Sequence, residues 1–169
     1  YIKNEGDANG ITRAADSANG SGDATVINST EGTLYFEGSA LADDGTDRKL
    51  SISDGTDNNK VVFGFSQFVG KINTEIHSGG VQQTTGFGAS GVTQANNNKF
   101  AISWGGGNVK LYVNGSDTYT ETGITSPIGL NELTFSYGAG TQIMYANCKD
   151  LRVYTTALEG SELETLTTI

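Results

Sequence analysis

Val109, Leu111 and Val113 alternate with Lys110 and Tyr112, and the run stops at Asn114-Gly115. A period of two sends alternate side chains to opposite faces, so 109–113 reads as a strand with one buried side. Asn-Gly accepts φ > 0 at both central positions and closes a two-residue hairpin. Just upstream, Phe100, Ile102 and Trp104 alternate with Ala101 and Ser103, and Gly105-Gly106-Gly107 turns the chain into the next strand. The parity that buries Phe100 and Ile102 also sends Trp104 inward, although this lone Trp is equally a candidate for stacking on a sugar ring.

The same period recurs along the chain. Leu34, Phe36, Gly38 and Ala40 share one side of 33–41, with Tyr35, Glu37 and Ser39 on the other. Further strands are expected around Leu50 and Ile52, over Val61, Phe63 and Phe65, and over Ile72, Thr74 and Ile76. Others are expected over 81–85, over Leu133, Phe135 and Tyr137, and over 144–154 with Leu151 and Val153 inward. Short segments at 11–13 and 25–28 also read as strands, 86–98 as a Gly- and Asn-rich loop, and 116–129 as a polar connection holding the single proline, Pro127. The period changes at the end. Leu158 and Leu163 flank a helix start at Glu159, with Glu162 at the third helical position; Ser161 with Glu164 is a competing cap. One short C-terminal helix is expected to lie on the sandwich, with Leu163 and Leu166 facing it. Roughly a dozen short strands and a single helix predict an all-β sandwich with Greek-key or jelly-roll connections.

Composition agrees. The 169 residues suit one domain, an entry segment at 1–24 packed on a sandwich at 25–169. There are 24 Gly, and only 17% of residues are charged, a composition of short strands and frequent turns. A net charge of −9 repels phosphate backbones and anionic lipid, which argues against nucleic-acid partners, and no run has the length of a membrane span. The chain opens at Tyr1 without Met or a signal-peptide pattern, so it is expected to be the C-terminal part of something longer. Cys148 stands alone and is expected to be a buried, inert thiol.

Two clusters invite chemistry. Asp43, Asp44 and Asp47 precede the 49–53 strand, and Asp54 and Asp57 follow it. Asp-Gly is turn chemistry, yet Asp43, Asp44 and Asp47 with backbone carbonyls could also hold calcium, weakly. The short strand between the two turns sends them to opposite ends, which disfavours one shared ion. Otherwise no cofactor is expected. For catalysis, retaining glucanases place two carboxylates about 5–5.5 Å apart on one strand face. The nine Glu are scattered, with no Glu-x-Asp-x-Glu. Glu75-Ile76-His77 resembles the Gln-Ile-His strand of alginate lyases, but the partner strands of those enzymes are not found. The chain is therefore read as a non-enzyme.

Val109 to Gly115, followed by Leu151-Arg152-Val153-Tyr154-Thr155-Thr156-Ala157-Leu158 and Glu162-Leu163, resembles the laminin-G-like, concanavalin A-like lectin/glucanase domains. Asn28 to Tyr35 and Leu41 to Thr46 resemble the versions found in bacteriophage tail fibres and virion appendages. Glu159-Gly160 departs from the Ser or Thr cap of such domains, at about 1 kcal/mol. The resemblance implies a curved two-sheet jelly roll that binds a surface glycan or host receptor. It would lie outside the cell or on a virion, beside other appendage chains in a possible homotrimer. Two alternatives stay open: a structural virion domain with no sugar ligand, and a binding module of a bacterial polysaccharide-degrading enzyme. Tyr35, Glu37 and Tyr112 have outward parity, with Asn114 and Tyr119 beside them, and are the candidate sugar contacts unless another strand or subunit covers that face.

Overall fold

The computed structural model describes residues 22–84, 91–138 and 140–169. Its strands are β1 (Gly32–Ala40), β2 (Arg48–Ser53), β3 (Lys60–Phe65), β4 (Ile72–Ser78), β5 (Val81–Gln82), β6 (Asn98–Gly105), β7 (Asn108–Val113), β8 (Ser116–Thr122), β9 (Glu132–Thr134) and β10 (Ala146–Tyr154), followed by helix α1 (Gly160–Thr167). They form two antiparallel five-stranded sheets, ordered β10-β1-β6-β7-β8 and β5-β4-β3-β2-β9. The chain passes between the sheets as a jelly-roll sandwich does, with β9 and β10 returning to opposite layers.

Alternation builds the core. Leu34, Phe36, Phe100, Ile102, Val109 and Leu111 face Leu50, Ile52, Val61, Phe63, Phe65 and Ile76 across the sandwich. Phe100 sits at its centre, with ring centroids 4.9 Å from Phe63, 5.1 Å from Phe36 and 5.6 Å from Phe65. The edge-to-face pairs among them set ring edges against π faces. Trp104 is 1% exposed in the same layer, as its parity requires, and its indole N–H donates to Ser29 O at 3.3 Å. Its ring lies against Gly32, where a Cβ would stand 2.5 Å from the indole, so β1 needs a residue without a side chain there.

The Asn-Gly hairpin forms as its residues dictate, with φ of 51° at Asn114 and 80° at Gly115. It leads into β8, where the sequence reading placed only a polar connection. β8 is an edge strand with mostly exposed side chains, so it carries no apolar alternation to betray it. No strand forms over 25–28: residues 24–26 make a turn, with Asp23 accepting from the Thr25 backbone at 2.8 Å. The expected strand over 133–137 stops at Thr134. The expected segment at 11–13 and part of the 86–98 loop lie outside the described residues. Cys148 is a further correction: it is exposed. It lies on β10, an edge strand whose run 147–149 is exposed, beside the bulge where Glu37 pairs with Asp150 and Gly38 with Cys148.

Helix α1 begins where Leu158 and Leu163 suggested. The Glu162 carboxylate accepts from the Glu159 backbone N–H at 2.9 Å, the reciprocal half of a capping box. Lys110 reaches Glu159 at 3.0 Å and fastens the helix start to β7.

Candidate functional site

The outer face of the first sheet belongs to α1. Leu163, fully buried, packs with Tyr35 and Ala101, and Tyr112, Tyr154 and Leu158 close around them. Tyr35 is 2% exposed and offers no ring face to a ligand; this corrects the sugar-contact expectation for its ring, because a helix of the same chain covers it. Burial first, and then the Glu37 carboxylate, push its phenol up in pKa. Glu37 is buried too, accepting from Lys149 at 2.6 Å, Asn97 at 3.0 Å and Tyr35 at 3.3 Å. Those partners, Lys149 foremost and then Asn97, hold its carboxyl below the usual range. Tyr112 is half-buried beside α1, and Tyr119 packs against the main core with its hydroxyl on Glu121. Of the five proposed sugar contacts, Asn114 alone lines an open groove.

That groove has a volume of about 350 Å³ and lies where β6 begins and the β7–β8 hairpin turns. Its apolar lining comes from Val92, Val113 and Ile169, the two valines buried and Ile169 exposed. One wall is the loop preceding β6, with Thr93, Asn96 and Asn97; the other is the hairpin, with Asn114, Ser116 and Thr118.

Two amides fix the frame. Asn98, 3% exposed, donates to Asn96 O at 2.7 Å and Thr93 O at 3.0 Å, and accepts from Asn114 Nδ2 at 3.0 Å. Asn114 Oδ1 accepts from the Lys99 backbone at 2.9 Å. Buried Gln94 anchors the loop wall. Its Nε2 lies 2.9, 3.0 and 3.2 Å from the carbonyls of Lys71, Ser66 and Phe68, and its backbone N–H donates to Asp43 at 3.2 Å.

Against this frame stand polar groups that the fold does not consume. The Asn96 carboxamide and the Ser116 and Thr93 hydroxyls have no hydrogen-bond partner among the described residues, and Asn97 uses only its N–H. Bound amides below and free amides and hydroxyls above give this groove a polar surface. From the sequence, the loop wall reads only as part of a Gly- and Asn-rich loop over 86–98. The run Asn96-Asn97-Asn98 was its one visible signal, but nothing local showed that the loop would meet the hairpin turn.

The three aspartates suggested for calcium do other work. Asp43 holds the groove loop and also accepts from Gly70 N at 3.4 Å. Asp44 pairs with Arg48 at 2.9 Å, which holds its carboxyl at about 2. Asp47 pairs with Lys49 at 3.0 Å and accepts from Gln67 N at 2.9 Å. No cluster of three or more metal-binding side chains occurs among the described residues.

The outer face of the second sheet is also polar. Lys49 and Lys60 are each 1% exposed there, beside Asn73, Glu75 and His77. Its charges are matched within the chain: Lys60 meets Asp57 at 2.9 Å and lies 3.7 Å over the Tyr137 ring, and the Tyr137 hydroxyl donates to Glu75 at 2.8 Å. Its two lysines are buried, so this face presents no free cation.

The fold is a two-sheet sandwich of the concanavalin-like, lectin type. No protein-family model matches the chain, and no curated protein sequence matches it. Solved structures do. A carbohydrate-binding module, CBM40, of a Ruminococcus gnavus IT-sialidase bound to α2,3-sialyllactose superposes with a TM-score of 0.70 at 18% identity, covering 88% of this chain and 93% of that one. Domain 4 of a GH43 extracellular arabinanase from Geobacillus stearothermophilus, in complex with arabinotriose, gives 0.66 at 15% identity, covering 87% and 70%. The NanB sialidase of Streptococcus pneumoniae gives 0.61 at 16% identity, with 84% of this chain on 24% of that one. No described helix is long and apolar enough to cross a membrane.

Proposed function

We propose that this chain is a non-catalytic carbohydrate-binding module that seats a glycan in the groove between the 91–98 loop and the β7–β8 turn. The observation that carries this reading is the groove itself: unsatisfied amides and hydroxyls on a pre-bonded frame, at a volume that suits small ligands. The lining contains no Asp, Glu, His or Cys. It therefore lacks the Asp/Glu pair that glycoside hydrolysis ordinarily uses.

The solved neighbours support the class. One is bound to sialyllactose and another to arabinotriose, and both are parts of glycan-active enzymes. They favour a module of an extracellular glycan-degrading protein over the tip of a virion fibre, the other setting implied by the resemblance. In this reading Asn114 and Glu37 position the groove walls, and Tyr35 and Tyr112 seat the C-terminal helix.

A glycan array probed with the 169-residue chain, beside Asn96→Ala with Ser116→Ala, is the test. Retention on a defined set of glycans, weakened in the double variant at unchanged melting temperature, is expected. A folded chain that no glycan retains contradicts the reading.

A further inference from the structure

We infer that the groove selects uncharged glycans and rejects acidic ones; this rests on the proposed reading of the groove as the glycan site. The inference comes from where the positive charge lies. A carboxylated or sulfated sugar is normally met by a cation, whose bond to an anion is roughly twice as strong as one between neutral groups. The groove lining contains no Lys, Arg or His.

Among the described residues, the nearby lysines already have partners. Lys99 leaves β6 beside the groove, but its Nζ donates to Thr168 O at 2.9 Å. Lys149 is held at 2.6 Å on Glu37, which also accepts from the groove-lining Asn97. Arg48, Lys49, Lys60, Lys110, Lys149 and Arg152 each pair with a carboxylate. Lys71 lies 5.8 Å over the Phe68 ring.

The remaining field has the opposite sign. A chain of net charge −9 raises the cost of bringing a sialate, uronate or sulfate to its surface. What the groove does offer is matched to sugar hydroxyls. The Asn96 amide and the Ser116 and Thr93 hydroxyls both donate and accept, as a sugar hydroxyl does, and exposed Ile169 offers apolar surface to C–H groups. The chain therefore differs in ligand chemistry from its sialyllactose-bound neighbour while sharing its fold.

The test is titration calorimetry of the 169-residue chain with four probes: arabinotriose and maltotriose as neutral ligands, and 3′-sialyllactose and trigalacturonate as acidic ones. The inference expects a neutral probe to bind, with affinity changing less than about twofold between low and high salt, because no ion pair is there to screen. Asn96→Ala and Ser116→Ala are each expected to weaken it about three- to tenfold. Acidic probes that bind more tightly than neutral ones, with affinity falling as salt rises, overturn the selectivity and leave the module reading standing. Binding of neutral probes unaffected by both substitutions overturns the assignment to this groove. If none of the four probes binds, while the glycan array also retains nothing, the module reading fails and this inference with it.

Discussion

Asn114 Nδ2 donates to Asn98 Oδ1 at 3.0 Å, a bond that joins the tip of the β7–β8 hairpin to the first residue of β6. It also sets the two walls of the groove against each other. Asn98→Ala removes this bond and the two that Asn98 makes to Thr93 O and Asn96 O. A cost of about 1–3 kcal/mol is expected from the buried groups left unpaired. Urea denaturation checks this, and glycan affinity should fall with it.

The helix is expected to matter as much as any strand. Leu163→Ala opens a cavity above Tyr35 and Ala101, at a cost of about 2–5 kcal/mol. Tyr35 should then become accessible to nitration while the rest of the sandwich stays folded. Unchanged stability in Leu163→Ala would mean that α1 does not rest on this face.

Trp104 and Gly32 form a matched pair. Trp104→Ala should cost about 3–5 kcal/mol. Gly32→Ala drives a methyl group into the indole and should cost about 1–3 kcal/mol by overpacking. Thermal denaturation of the two variants separates a structural Trp from a ligand-stacking one, because only the first pairing destabilises the free chain.

Acid stability follows from Glu37 and Asp44. Both carboxyls lie below their ordinary values, Glu37 through Lys149 and Asn97 and Asp44 through Arg48 and Thr46. A folded-state value below the unfolded one gives stability that is complete above the ordinary carboxylate range of about 4. It is lost as pH falls toward about 2, where Asp44 takes up its proton. Melting temperature should therefore drop steeply below about pH 4, and the drop should be smaller in Lys149→Gln.

Calcium is expected to change little. Asp43, Asp44 and Asp47 are turned to a backbone wall, an arginine and a lysine, so binding an ion means breaking those bonds first. Millimolar calcium should raise the melting temperature by no more than about 1–2 °C. A larger rise, abolished by Asp43→Asn with Asp47→Asn, would show that these turns rearrange to hold metal.

Most of the sandwich was readable because its core strands place large apolar residues at every second position, as in 100–104 and 109–113. β8 was not, since an edge strand exposed along most of its length buries too little to need alternation. Cys148 was misplaced because β10 ends up at a sheet edge, where the run 147–149 stays exposed, and its local sequence does not show that it will lie there. Outward parity found Tyr35 and Tyr112 correctly, but the covering helix comes from the other end of the chain, and tertiary docking decides their burial. Of the groove, only Asn114 was legible. Its other wall is brought there by Gln94, whose partners lie in a loop more than twenty residues away in sequence.

The most direct test of the central claim is a two-dimensional amide NMR titration of the 169-residue chain with a neutral oligosaccharide that it binds. The account predicts that the largest shifts fall on the side-chain amides of Asn96 and Asn97 and on the backbone of Thr93 and Ser116, with the outer face around Glu75 and His77 unmoved. Shifts centred on Glu75, His77 and Tyr137, with the groove silent, would contradict it.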